Sequence, residues 1–510
     1  MAMLLRTPNT NAAHRAPSWG ARFALAAIVL SPMMAQSGTL PVTGMPVPQL
    51  SAFDIAMQAF MVSSNLNGGV LAVSRNGCII YQRGFGYVDS ALTKPMPENT
   101  PMRIASLEKP LTAALVRDIA NDGIFSLTDQ VFDPNLTGAG ILPAQPYSGN
   151  PLGTNTLTNI TVGHLLLHQG GWCRDVAINT SDNVGGDPSF QSLNISTAMG
   201  TYPVLPGRFG TAQYMLAQGL NYTPGSSPCG TAINCTLCQN YSNFGYMLLG
   251  MAVEQVLVVS NNMQEELRRR ILTPGRWVPA TEVFKGETQI QNPREPYYHS
   301  SANPTLATDV FDPGGANVDR PYGAWHLEMM QGHGNLVASA APLLKFLDNY
   351  FVGYYQLDSA GITNNIGMPL WSGALPISQN AHTGGFDGTD TIMSQGTNGI
   401  NIVVLFNDRK NYTNDSSFAM ANLIRAVIAI SSPPIQWPTF CVDGFWVEVG
   451  TSTPGFGGYN DPFDSVQEML DETVDGSRVH FKPGADDWTG VMTEKMFFDA
   501  PEGPFTIGTL

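Results

Sequence analysis

The sequence predicts an α/β (α+β) fold: an antiparallel sheet built from both chain ends and flanked by helices. Three observations predict it. Near the start, the apolar runs GVLAVSR and CIIYQRGFGYV flank Asn76-Gly77, the strongest short hairpin signal because both turn residues tolerate positive φ. Near the end, residues 391–394 and 400–406 read as paired strands joined by QGTNG. Between these ends lie apolar runs at helical spacing.

In chain order, Arg6, His14, Arg15 and Arg22 precede the apolar stretch 23–35, which is followed by polar QSGTLP. Charge, a short apolar run and a breaker in that order predict an export signal over residues 1–35, the alternative being a retained anchor. Residues 48–65 predict a helix with Ser51 and Asp54 spaced as a capping box. The hairpin follows, then a helix from Ser106 to about Asn121. Segments 131–158 and 173–233 are rich in Gly, Pro, Asn, Ser and Thr and read as long excursions with little regular structure; with 274–330, which lacks a clear period, they are expected to build the walls of a pocket. Residues 243–257 and 414–430 predict two further helices, and the catalytic unit is expected to span 47–432. From Cys441 the composition shifts to thirteen acidic residues against three basic ones, giving a C-terminal extension, 441–510, read as poorly ordered or strand-like rather than as a flap or a partner-binding segment.

With 43% hydrophobic and 13% charged residues, the 510-residue chain is globular rather than disordered. A net charge of −15 repels phosphate backbones and argues against nucleic acid as a partner. After the first 35 residues no segment reads as membrane-spanning. The six cysteines, Cys78, Cys173, Cys229, Cys235, Cys238 and Cys441, permit three disulfides in an exported chain, and their pairing is left open. Cys235 and Cys238 lack the second pair that a zinc site needs, so stapling of their loop is the reading.

Of seven lysines only Lys109 has a serine three residues before it, Ser106 in IASLEKPLTAAL. Three residues apart on a helix, a hydroxyl and an amine share one face. The lysine accepts the serine proton only when neutral, so burial must lower its pKa from about 10.4. Two further motifs follow in order: Tyr241-Ser242-Asn243 and His382-Thr383-Gly384, the latter continuing into Gly385.

Ser-x-x-Lys, Tyr-x-Asn and Lys/His-Thr-Gly in this order resemble the penicillin-recognising serine hydrolases: class C β-lactamases, D-Ala-D-Ala carboxypeptidases, D-aminopeptidases and β-lactamase-like esterases. GGVLAVSRNGCIIYQRGFGYVD (68–89), NITVGHLLLHQGGW (159–172), GHGNLVASAAPLLKFL (332–347) and INIVVLFND (400–408) extend the resemblance over residues 50–432. It implies a β-lactamase/transpeptidase-like fold in which the sheet meets an all-α subdomain at the active site. It also implies Ser106 as nucleophile, Lys109 or Tyr241 as base, Asn243 orienting Lys109 or a substrate amide, and the backbone amides of Ser106 and Gly385 as oxyanion donors. His382 stands where β-lactamases carry lysine, so it would attract a substrate carboxylate weakly and with pH dependence. An ester or small peptide, which could contain D-amino acids, is therefore the expected substrate rather than a penicillin. No cofactor and no metal are called for; oligomeric state is left open.

Other candidates have simpler readings. His164 and His168, four apart, lack the adjacent acid of a His-Glu-x-x-His site and read as packing. His333 reads equally as a cleft residue or a turn residue. Glu108, inside the Ser-x-x-Lys motif, has no account at this stage. The absence of Gly-x-Ser-x-Gly argues against the rival α/β-hydrolase fold. A β-lactamase or DD-carboxypeptidase, an acyltransferase on the same scaffold and a non-catalytic binding protein are the competing functional readings.

Overall fold

The computed structural model of the protein describes residues 40–508 apart from 134–139, 144–156, 175, 227–240, 259–261, 273–280, 301–304, 353–355, 359–360, 364–379, 397, 411–414, 452–454, 474–476 and 494. The expected export signal, the cysteines at 229, 235 and 238, and much of the 131–158 excursion lie outside these residues.

Six antiparallel strands form the central sheet: β1 (Val42–Thr43), β2 (Gly68–Arg75), β3 (Cys78–Gly86), β4 (Asn380–Phe386), β5 (Thr389–Gln395) and β6 (Ile400–Phe406), in the spatial order β1-β3-β2-β6-β5-β4. The two chain ends meet where β2 pairs with β6, with Leu71 opposite Val404. Asn76 and Gly77 have φ of 52° and 82°, the left-handed turn that Asn-Gly predicts. β6 is buried along its whole length, and β2 nearly so, which is why their apolar runs are continuous rather than alternating; β5 is equally buried but carries Thr389, Asp390 and Thr391, whose side chains are hydrogen-bonded.

The long helices are α1 (Ser51–Ser64), α2 (Glu108–Asn121), α3 (Asn243–Leu257), α4 (Ala340–Asn349) and α5 (Ser416–Ile430). α1 and α5 pack together; α4 and α5 lie on the sheet; α2 and α3 form the helical part with the shorter helices Val162–Leu166, Ser192–Ala198 and Gly207–Leu216. The helices at 192–198 and 207–216 correct the expectation of little regular structure over 173–233. They form because Ser192, Ile195 and Ser196 in the first, and Thr211, Tyr214 and Met215 in the second, recur at i, i+3, i+4 and bury one face. The expected capping box at Ser51 is absent: Leu50 is the N-cap, and Asp54 instead accepts from the Tyr81 hydroxyl at 2.6 Å and pairs with Arg83 at 3.5 Å. Among the described residues no helix is long and apolar enough to cross a membrane.

The C-terminal stretch is strand-bearing and has a small core of its own. β7 (Phe445–Val447), β8 (Arg478–Phe481) and β9 (Phe497–Asp499) pair in parallel around Phe445, Phe463, Val466, Met469 and Phe481. It is joined to the catalytic unit by the Cys78–Cys441 disulfide and by the Lys345–Asp443 ion pair. Cys173 is disulfide-bonded as well. The Cys78–Cys441 link closes a loop of 363 residues, and links across long loops constrain the unfolded chain strongly. Cys441→Ser is therefore expected to lower unfolding stability by about 2–4 kcal/mol. Denaturant unfolding checks this, an unchanged midpoint being the contrary result.

Candidate active site

Ala105 has φ of 48°, a left-handed conformation that costs a residue with a Cβ roughly 1–2 kcal/mol. It turns the chain out of strand Met102–Arg103 into the 3-10 turn Ala105–Leu107, which runs directly into α2 and carries Ser106. Such strain immediately before a nucleophile is typical of functional sites. Lys109 sits in the first turn of α2, fully buried, with Nζ 3.1 Å from Ser106 Oγ. Burial lowers its pKa to about 7; the charges of Asp187 and Glu108 pull it back up, and Arg174 adds to the lowering. The condition set by the sequence, an amine able to lose its charge, is therefore met.

The Lys109 amine is aimed by a turn more than two hundred residues away in sequence, donating to the His333 carbonyl at 2.9 Å. Glu108 holds that turn. Its Oε1 accepts from Gly332 N at 2.7 Å, and its Oε2 from Asn335 N at 2.6 Å and Leu336 N at 3.1 Å. Burial pushes the Glu108 carboxyl up to about 7 against the pull of these three donors. The residue that had no account from sequence is thus the anchor of the turn whose carbonyl holds the Lys109 amine. His333 itself is buried and lines the cleft, with Nε2 3.2 Å from Ser189 Oγ.

Tyr241 stands directly before the N-cap of α3, where Ser242 Oγ accepts from Gly245 N at 3.0 Å. Its ring centroid is 4.7 Å from Lys109 Nζ and 4.9 Å from the Arg174 guanidinium, and it packs on the His168 ring at 4.7 Å. His168 is buried packing, but packing against Tyr241; it also accepts from Ser242 N at 3.1 Å. Asn243 opens α3, and its amide nitrogen donates to Asp187 Oδ2. Orientation of Lys109 falls to the His333 carbonyl rather than to Asn243.

β4 is the edge strand of the sheet, and the Ser106 turn packs against it. Its alternate residues Asn380, His382, Gly384 and Phe386 face inward, while Thr383 and Gly385 are half-buried. A Cβ at Gly384 would fall 2.3 Å from the Ile104 carbonyl and 3.0 Å from Ser106 N, so only glycine lets the strand approach the Ser106 turn this closely. The alternation corrects the expectation for His382. Its ring is fully buried, burial and the charge of Lys109 push its pKa down to about 3, and Nδ1 lies 3.0 Å from the Thr383 carbonyl. A neutral ring on the inner face does not attract a carboxylate by charge.

These elements enclose a cleft of about 490 Å³ lined in part by Ser106, Arg174, Asp187, Asn243, His333 and Gly385. None of its lining residues comes from the C-terminal stretch. Ser106, Lys109, Tyr241, Asn243 and Gly385 are brought together from three separate segments. Sequence reasoning passed over Asp187 and Arg174, which sit in an aperiodic stretch with no motif. It also left Glu108 unexplained, although a charged residue inside an apolar helical run was a usable signal. Among the described residues no cluster of His, Cys, Asp and Glu has the makings of a metal site.

The β-lactamase family profile matches residues 53–421. A penicillin-binding protein of Bacillus subtilis (strain 168) is 33% identical over 105 residues, 21% of this chain and 19% of that protein. Esterase EstB of Burkholderia gladioli is 30% identical over 144 residues, 26% of this chain and 32% of the esterase. The chain therefore spans about a fifth and a third of the length of these two relatives. Among solved structures, a β-lactamase/D-alanine carboxypeptidase from Pseudomonas syringae is similar over 74% of this chain and 99% of its own, at 17% identity and a TM-score of 0.48. An octameric penicillin-binding protein homologue from Pyrococcus abyssi covers 74% and 77%, at 19% identity and a TM-score of 0.47.

Two outcomes follow from the geometry. Glu108→Ala leaves three buried N–H groups without an acceptor, at about 1–3 kcal/mol each, and frees the turn that aims Lys109. Loss of several kcal/mol in unfolding stability, with loss of turnover, is expected, and near-wild-type values for both contradict it. The protonated form of Lys109 has no lone pair for the Ser106 proton, and that form dominates below about pH 7. kcat/KM should therefore fall about tenfold per pH unit below about 7 and level above it; a limb near pH 10 contradicts this.

Proposed function

The chain belongs to the β-lactamase family of serine hydrolases, and on that premise we propose that it is an exported hydrolase acting through an acyl-enzyme on Ser106, with a carboxylic ester or small peptide as substrate. The single observation that carries the reading is the 3.1 Å contact between Ser106 Oγ and a lysine amine whose burial brings its pKa to about 7.

In the acylation step the Ser106 O–H proton passes to neutral Lys109 while Oγ bonds to the substrate carbonyl carbon. The oxyanion that forms is held by the backbone N–H groups of Ser106 and Gly385. The bond to the alcohol or amine then breaks, and the Lys109 ammonium returns its proton to that leaving group. Water attacks the acyl-enzyme with Lys109 again taking a proton; the acid is released and Ser106 Oγ regains its proton. Lys109 is preferred to Tyr241 as the base because it is Lys109 that touches Oγ. Tyr241 packs over the amine and limits its access to water.

The stretch shared with esterase EstB supports the ester reading. A neutral, inward-facing His382 removes one attraction for a penicillin carboxylate, which leaves β-lactam hydrolysis as a secondary activity. Export is supported by the Cys78–Cys441 disulfide, since such bonds persist in oxidising compartments.

Ser106→Ala is expected to lower turnover of the best substrate, found among p-nitrophenyl esters, nitrocefin and D-amino-acid amides, by at least about a thousandfold. Retention of the wild-type rate would rule Ser106 out as nucleophile. Product analysis with an added alcohol separates hydrolysis from acyl transfer: free acid as the sole product supports hydrolysis, and a transfer product as the main one counts against it.

A further inference from the structure

The cleft has one apolar wall. Among its described lining residues only Phe190 and Phe386 carry apolar side chains; the others are polar, charged or glycine. The two rings meet edge to face, with centroids 6.2 Å apart at 71°. Trp325 packs against both, edge to face with Phe190 at 6.0 Å and tilted on Phe386 at 5.9 Å. These separations lie in the range where the electron-poor edge of one ring is attracted to the electron-rich face of another. Phe190 and Trp325 come from 173–233 and 274–330, two of the stretches expected to wall a pocket, and Phe386 ends β4.

The wall is fixed relative to the nucleophile. Trp325 and Phe386 share one buried cluster with Ala105, the left-handed residue directly before Ser106. Phe386 also packs on Gly334, where a Cβ would fall 2.8 Å from its Cζ, and Gly334 follows the His333 whose carbonyl holds Lys109. Phe190 is strapped in place by the 3-10 turn Pro188–Phe190. Its N–H donates to the Asp187 carbonyl at 3.2 Å, and Ser189 Oγ beside it lies 3.2 Å from His333 Nε2. Trp325 and Phe386 are buried, whereas Phe190 is 40% exposed. A single exposed ring is ordinary on a protein surface. A ring pinned in the cleft of the nucleophile, with two more packed against it, is instead an aromatic cluster left open on its cleft side.

We infer that this wall selects substrates carrying an aromatic ring close to the scissile ester or amide bond, with Phe190 as the specificity-determining residue. The inference rests on the acyl-enzyme reading and narrows its substrate class to aryl-substituted esters and amides over aliphatic ones. A saturated ring on the same carbon skeleton is at least as apolar but has no π-face and no polarised edge, so comparing the two isolates the wall from general hydrophobicity. The ring belongs to the acyl part or to the leaving group, and the test has an arm for each.

Two pairs of esters are compared by pH-stat, with the ring two carbons from the ester group in each so that intrinsic reactivities match. Methyl 3-phenylpropanoate against methyl 3-cyclohexylpropanoate puts the ring on the acyl side; 2-phenylethyl acetate against 2-cyclohexylethyl acetate puts it on the leaving side. Wild type should favour the aromatic member of at least one pair by about three- to tenfold in kcat/KM. Phe190→Leu keeps an apolar side chain without the ring and should bring that ratio to unity, and Phe190→Tyr, which keeps the ring, should retain it. A merely structural role for Phe190 would lower both members of a pair alike and leave the ratio standing. A wild type that turns over the aromatic member of neither pair faster than its saturated partner, or a ratio that survives Phe190→Leu, overturns the inference. Fluorophosphonate labelling of Ser106 on the same preparations separates the two levels: an unlabelled wild type defeats the nucleophile and this inference with it, whereas a labelled wild type without aromatic preference defeats only the role of the wall.

Discussion

The site depends on a lysine kept in a place where its charge is costly. Removing an ammonium from water is tolerated only when it is paired or when it gives up its proton. Lys109 is fully buried, and burial outweighs two nearby carboxyls in setting its pKa. The surroundings read as consequences of that constraint. The amine donates to a backbone carbonyl, which suits its neutral and its charged form alike, and three histidines around it are themselves buried with lowered pKa.

Rigidity at the site comes from contacts between distant parts of the chain. Glu108 ties α2 to the turn before strand Leu336–Ala338, and Gly384 lets the sheet edge close on Ser106 without a side chain between them. The left-handed Ala105 survives because both neighbours of the turn are fixed in this way. Ser106 and Lys109 are separated by one helical turn, but their geometry is held by segments more than two hundred residues further on.

Much of this was legible in the sequence where the signal is local or periodic. Asn76-Gly77 marked the hairpin, continuous apolar runs marked β2 and β6, and Ser106 with Lys109 marked a pair that shares a helix face. What was not legible depends on tertiary context. Asp54 had the spacing of a cap but is engaged by Tyr81 and Arg83. His382 belonged to a motif, yet the pleat of β4 turns it inward, and a motif does not state which face of a strand is buried. Glu108 and Asp187 act on groups far away in the chain, Gly332 and Asn243, and no window of sequence contains both partners.

The central claim is that the amine beside Ser106 is uncharged in the working enzyme. Lysine-selective NMR titration of the protein, with the Lys109 signal assigned by Lys109→Met, measures this directly, and only six other lysines compete. The account predicts that Lys109 titrates near pH 7, well below the ordinary lysine value. A Lys109 titration at about 10 or above would contradict it, because such an amine could not accept the Ser106 proton at neutral pH.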